Sequence, residues 1–169
     1  MRPIFVVLAG CAVIAIAAET SVNGQSTSAS ASLNVSASVS KNCTITTAPV
    51  TFGAYDPVAA NATAPLDATG TVTITCTKGA AAKVGLGAGG NAQGTVRRML
   101  GGTAAYLTYE LYKDSSHASV WGDTIDTALD VTAAPSRLPR DFAVYGRIPA
   151  TQDATVGSYT DTVVATVNF

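Results

Sequence analysis

In the stretch SASASLNVSASVS, every odd position from 29 to 39 is apolar: Ala29, Ala31, Leu33, Val35, Ala37 and Val39. Every even position from 28 to 40 is Ser or Asn. That two-residue period predicts a strand with one dry face and one wet face. The same period returns at the other end. There GSYTDTVVATVNF places Tyr159, Val163, Ala165, Val167 and Phe169 on one side, with mostly Thr and Asn opposite. A strand that closes the chain has no later strand of its own to pair with. If it is central in its sheet, its outer neighbour has to come from elsewhere.

Between these ends lie short strand-like runs separated by Gly, Pro, Asp and Asn. CTITTAPVTFGAYDP predicts two short strands and a turn around Gly53 and Pro57. ANATAPLDATG reads as a loop, and TVTITCTKG as an alternating strand. AAKVGLGAGGNAQG gives a short strand followed by a flexible glycine-rich connection. AAYLTYELYKD alternates with Ala105, Leu107, Tyr109 and Leu111 on one side, and DFAVYGRIPA is a strand stopped by Pro149. No segment keeps a helical period between caps. Strands at this spacing, with turn residues between them, predict an all-β sandwich or barrel.

Composition agrees: 169 residues, 47% hydrophobic and only 12% charged, suit one domain rich in β-formers. A net charge of -1 gives no electrostatic case for nucleic acid or an anionic membrane. Arg97 and Arg98 are too short a run for a basic patch and are expected at the surface or at a strand end. Residues 1–24 read as a secretory signal, with Arg2 as the positive region and Ile4 to Ala18 as the apolar one. Cleavage after Ala17, Ala18 or Gly24 is expected. LAGC, ending at Cys11, resembles a bacterial lipobox, but its apolar stretch is short and continues past the cysteine, so ordinary cleavage is the reading adopted. Export leaves Cys43 and Cys76, expected as a disulfide in or beside the core.

The chemistry-bearing residues are sparse. His117 is the only histidine; it lies in a polar loop and is expected to be solvated, with no second His for a nucleophilic or zinc arrangement. Asp123, Asp126 and Asp130 lack the spacing of a calcium loop. Asp141 and Asp161 fall in separate strands, with nothing to pair them as glycosidase carboxylates. The glycine-rich run has no phosphate-loop lysine. Trp121, Tyr109 and Tyr112 could stack on a sugar, but in a sandwich they are expected in the packing between sheets. No cofactor, metal or catalytic residue is expected.

FGAYD after the first cysteine, ITCTKG around the second, then RRML, LTYELYKD, VWGD, VYGRIPATQ and GSYTDTVVATVNF occur in an order that resembles spore coat protein U domain proteins. That family includes subunits of archaic, Csu-type chaperone–usher pili. The resemblance runs from about Cys43 to Phe169. It implies an incomplete immunoglobulin-like Greek-key sandwich lacking its last strand. It also implies a division into a signal peptide (1–24), an N-terminal donor-strand extension (25–41) and the β-sandwich (42–169).

By the same resemblance, a periplasmic pilus chaperone first fills the gap. The extension of a neighbouring subunit then replaces it at an outer-membrane usher. Ala29, Ala31, Leu33, Val35, Ala37 and Val39 would face inward on the donor; Tyr159, Val163, Ala165, Val167 and Phe169 would belong to the acceptor. The function expected is that of a non-enzymatic, exported pilus subunit serving attachment and biofilm formation. The alternatives are a secreted spore- or cell-coat protein of the same fold, and a monomeric carbohydrate-binding module that pairs its N-terminal strand within its own chain.

Overall fold

The structure, a computed structural model, describes Gly24, residues 27–102 and residues 104–169. Gly24 aside, the expected signal peptide, with Cys11 and the cleavage points at Ala17 and Ala18, lies outside the described residues. The chain divides into two units, Met1–Ala37 and Ser38–Phe169. In the first, residues 27–37 carry no helix or strand and are exposed throughout. The second holds ten strands: β1 (Cys43–Ala48), β2 (Leu66–Cys76), β3 (Ala82–Leu86), β4 (Arg98–Gly101), β5 (Tyr106–Thr108), β6 (Glu110–Tyr112), β7 (Leu129–Val131), β8 (Arg140–Ile148), β9 (Tyr159–Thr160) and β10 (Ala165–Asn168).

One sheet has the order β1-β2-β8-β6, every neighbouring pair antiparallel. This is the A-B-E-D sheet of an immunoglobulin-like sandwich. The facing layer is built from β10-β3-β7 and β5-β4-β9. Beyond the end of β3, Gly87 and Gly90 donate backbone hydrogen bonds to Val164 and Thr162, at 2.9 and 3.0 Å. These carry the ladder from β10 towards β9. The segment β9–β10 therefore stands in the F position and β3 in the C position. The G position of the sandwich lies along the other edge of β10, and among the described residues no strand pairs there. The fold is an all-β, immunoglobulin-like sandwich, open at the G position along β10.

The core follows from alternation. Val72, Ile74 and Cys76 on β2, and Val144 and Ile148 on β8, point inward, while Thr71, Thr73 and Tyr145 between them do not. Each such apolar side chain contributes roughly 1.5–3 kcal/mol on burial. Trp121 joins the layers: it is fully buried, its backbone N–H bonds Leu111 of β6 and its indole N–H bonds Val84 of β3, both at 2.8 Å. Cys43 and Cys76 are directly opposite in the β1–β2 ladder and form the disulfide.

Three local expectations are corrected. Leu66–Gly70, expected in a loop, belongs to β2, because β8 is long enough to pair it from Leu66–Ile148 down to Gly70–Val144. Residues 49–56 form no second strand. Instead Val50 and Phe52 press onto the inner face at two glycines. A methyl group on Gly70 would come within 2.7 Å of Val50 and 2.9 Å of the Ala48 carbonyl, and one on Gly146 within 2.7 Å of Val50 and 2.8 Å of Phe52. The run AAYLTYELYKD keeps its buried alternation at Leu107, Tyr109 and Leu111, but its ladder breaks at Tyr109, so that β5 and β6 serve opposite layers. The short strands β4 and β7 were not anticipated from the sequence.

Candidate binding groove

Along the open edge of β10 runs a groove of about 940 Å³. One bank is 47–55, the end of β1 and the residues after it, and the other lies within residues 154–165. Its floor is apolar core: Val72, Leu86, Leu107, Tyr109, Val144 and Ile148 are all buried yet line it. The edge strands on either side, β1 and β10, each have one paired neighbour in their own sheets. Backbone donors and acceptors therefore face a hydrophobic trough, the geometry that binds an added strand.

Polar contacts fix the trough's shape. Tyr109 donates its hydroxyl to Asp161 Oδ2 at 2.7 Å, and Asp161 Oδ1 accepts the backbone and side-chain N–H groups of Asn91, both at 3.0 Å. Burial, reinforced by the hydrogen bond to Asp161, pushes the Tyr109 phenol well above its ordinary value. Behind the floor, Arg97 is only 3% exposed. It donates to the carbonyls of Leu86, Gly87 and Trp121 at 2.7–3.0 Å and pairs with Glu110. Of the two expectations for Arg97, surface or strand end, the first is corrected and the second holds, since it contacts the end of β3. A guanidinium fork can satisfy several carbonyls at once. Its neighbour Arg98 lies over the Tyr106 ring, 3.9 Å from the centroid.

Of the proposed acceptor residues, Tyr159, Val163 and Ala165 line the groove. Val167 packs partly buried against the core, and Phe169, half exposed, sits beside a smaller hollow with Ala82 and Val131. On the N-terminal segment Leu33, Val35 and Val39 are 85–88% exposed, and Ala29, Ala31 and Ala37 are exposed as well. The sequence did not point to Val50, Phe52, Tyr55 or Met99 as lining residues. For Val50 and Phe52 the two-residue period is present in the sequence, but it predicts a strand.

The other candidates lie elsewhere. His117 is not solvated: its side chain is 8% exposed, edge-on to Tyr112 with centroids 5.0 Å apart, and Nε2 lies 3.8 Å from Asp67 Oδ1. Arg147, hydrogen-bonded to Asp67 through both nitrogens at 2.7 and 2.8 Å, holds that carboxyl below its usual range. Asp130 pairs with Lys83, Asp123 and Asp126 are exposed, and Asp141 accepts the Thr73 hydroxyl at 2.6 Å.

Comparison with known proteins places this geometry. The sequence model of the Spore Coat Protein U domain matches residues 29–166. Protein U of Myxococcus xanthus is 35% identical over 158 residues, covering 86% of this chain and 87% of that protein. Among solved structures, the CsuC–CsuE chaperone–tip adhesion subunit pre-assembly complex from the archaic chaperone–usher Csu pili of Acinetobacter baumannii matches with a TM-score of 0.54 and 25% identity. That match covers 78% of this chain but spans only 40% of the matched chain. With an open-edged sandwich and a family match that takes in both the exposed alternating segment and the groove, the chain belongs to the Spore Coat Protein U domain family.

Proposed function

We propose that this protein is a structural, non-enzymatic subunit of an extracellular pilus, exported through the periplasm and polymerised by donor-strand exchange. One observation carries the reading: the G position of the sandwich is open over an apolar trough, and the same chain bears an exposed segment with the period of a strand. A second copy's Ala29, Ala31, Leu33, Val35, Ala37 and Val39 would enter the trough of the first. Burying Leu33, Val35 and Val39 would contribute roughly 1.5–3 kcal/mol each. The backbone ladder adds to this, because its alternative is unpaired polar edge atoms. The partners are a periplasmic pilus chaperone that covers the trough first, an outer-membrane usher and neighbouring subunits. Surface attachment and biofilm formation are the roles such a fibre would serve. The near-full-length likeness to Protein U favours a second reading, a coat component assembled from the same units.

The test is co-expression with the candidate chaperone, followed by native mass spectrometry and electron microscopy. Leu33→Asp and Val35→Asp should each leave the chaperone complex intact and abolish the fibre ladder; normal fibres from both would refute strand donation. Deleting residues 25–40 should leave a body that still needs a chaperone. A closed, well-behaved monomer from that deletion would instead identify a self-contained binding module.

A further inference from the structure

We infer that the two poles of the sandwich form a head-to-tail contact with a second copy of this chain, a basic pole seating on an acidic one. The inference deepens the strand-exchange reading and rests on it. The first pole gathers the root Ser40–Asn42, the turn after β2, the loop 132–139 and the end of β10. The Cys43–Cys76 pairing, the backbone bonds of Ala134, whose N–H donates to the Ala80 carbonyl and whose carbonyl accepts the Gly79 N–H, and the Asn168–Lys83 pairing hold them together. The opposite pole consists of loops 53–65 and 149–158, joined where Tyr55 donates its hydroxyl to the Pro149 carbonyl and Thr151 its N–H to Asn61, both at 3.0 Å.

Charge is divided between these ends, although the chain as a whole is nearly neutral. Lys41, Lys78 and Arg137 are exposed at the first pole, and none has a carboxylate partner among the described residues. Arg140 stands at the same pole with Nε and Nη2 buried and unpartnered. The nearby carboxylates are fewer than these cations: Asp130 pairs with Lys83, and Asp141 accepts the Thr73 hydroxyl. The loops of the second pole contain Asp56 and Asp153, both exposed, and no Lys or Arg. Val58 and Val156 stand fully out from the acidic pole, and Leu138 is 67% exposed at the basic one.

Strand direction brings unlike poles together. β10 runs towards the basic pole, since it passes from Ala165 opposite Leu86 to Asn168 opposite Lys83. A strand completing the F edge antiparallel, as G does in this fold, runs towards the acidic pole. Val39 of the incoming copy then ends there, and only Ser40, Lys41 and Asn42 separate it from its own Cys43. The four Cα–Cα steps from Val39 to Cys43 reach about 14 Å at most. Asn42 is tied down as well: its N–H bonds Thr77 Oγ1 at 3.1 Å, and its carbonyl accepts the Thr77 N–H at 2.8 Å. The incoming basic pole therefore has nowhere to lie except against the acidic pole of the acceptor. Because the two surfaces differ, the contact is heterologous, and it builds a fibre where its rotation does not close a ring.

The experiment compares assembly rates of full chains at low salt and at about 1 M salt, where charges are screened beyond about 3 Å. Asp56→Lys with Asp153→Lys, and separately Lys41→Glu with Lys78→Glu and Arg137→Glu, should each slow assembly about tenfold at low salt. The chain carrying all five changes should return to within about threefold of the parent, and all differences should shrink at high salt. A synthetic peptide of residues 27–40, which carries no body, should bind the groove equally in the parent and in the Asp56→Lys, Asp153→Lys chain. Parent-like low-salt rates for both single-pole variants, or no rescue in the five-fold variant, overturn the pole contact. If the peptide fails to bind and Leu33→Asp chains still assemble, the failure lies in strand exchange itself.

Discussion

Tyr109 and Asp161 meet across the mouth of the groove, the phenol donating to the carboxylate at 2.7 Å and so linking the β5–β6 junction to the β9–β10 segment. The same carboxylate holds Asn91, so it pins the open edge at two points. Asp161→Ala leaves the Tyr109 hydroxyl and the Asn91 backbone N–H without their acceptor, while the Asn91 side chain keeps only the Thr160 carbonyl. A buried donor left unpaired costs about 1–3 kcal/mol. The urea midpoint of the purified subunit should fall accordingly, whereas Asp153→Ala, with no bonded partner among the described residues, should leave it unchanged.

The Tyr109 phenol also makes stability sensitive to alkali. Its folded pKa lies above the unfolded value near 10, so between the two the folded state retains a proton that the unfolded chain releases. The stabilisation is therefore complete below about pH 10 and is lost as pH rises above it. Tyr109→Phe should have a shallower alkaline limb in a pH series of denaturation midpoints. It should not be flat, because burial raises Tyr112 as well. Identical limbs for parent and variant would show that the phenol titrates as if solvated.

Arg97 is the polar residue on which three backbone carbonyls converge, two at the end of β3 and one from Trp121. Arg97→Met leaves the Leu86, Gly87 and Trp121 carbonyls without its fork and leaves Glu110, part-buried, without its cation. Breaking one side of such a pair costs about 3–5 kcal/mol. Arg97→Lys should recover only part of this, since one ammonium cannot reproduce the planar fork. Thermal melts of the two variants would rank them; equal stability of lysine and methionine would remove the fork from the explanation.

The sequence carried the sandwich through its alternation, because a residue on a half-buried strand reports its own environment. Ile74, Leu111 and Val144 were readable for that reason. It also marks two alternating segments, the exposed Leu33 arm and the Val163–Ala165 edge, whose outer side has no paired strand among the described residues. What escaped was set by other segments. Leu66–Gly70 is strand only because β8 offers it a partner, and its Asp and Gly, with Pro65 just before them, read locally as a loop. Arg97 carries no sequence mark of burial, since three distant carbonyls create its site. His117 is covered by Tyr112 and Tyr145, which come from two different strands.

The Cys43–Cys76 disulfide sits at the root of the N-terminal segment and closes a loop with a sequence separation of 33. Cys43→Ala with Cys76→Ala should lower stability by about 2–4 kcal/mol through the freed unfolded chain. Thr77 holds Asn42 separately. The double variant should therefore still bind a donor peptide once folded, with the loss confined to the denaturation midpoint.

The seating of Val50 and Phe52 on two glycines makes the groove wall testable by a single methyl group. At Gly70 the added carbon meets the Ala48 carbonyl at 2.9 Å as well as Val50 at 2.7 Å, and a backbone atom has no rotamer by which to escape. At Gly146 it meets only the ends of Val50 and Phe52, which can turn away. Overpacking of this kind costs about 1–3 kcal/mol. Gly70→Ala should thus be the more damaging change, shifting the 47–52 bank and weakening binding of a peptide of residues 27–40. Gly146→Ala should lose less stability but also bind the peptide less well, because the displaced side chains are themselves groove lining. Calorimetric titration of both variants checks the order. Unchanged binding in both would mean that the bank is not seated on these glycines when the groove is filled.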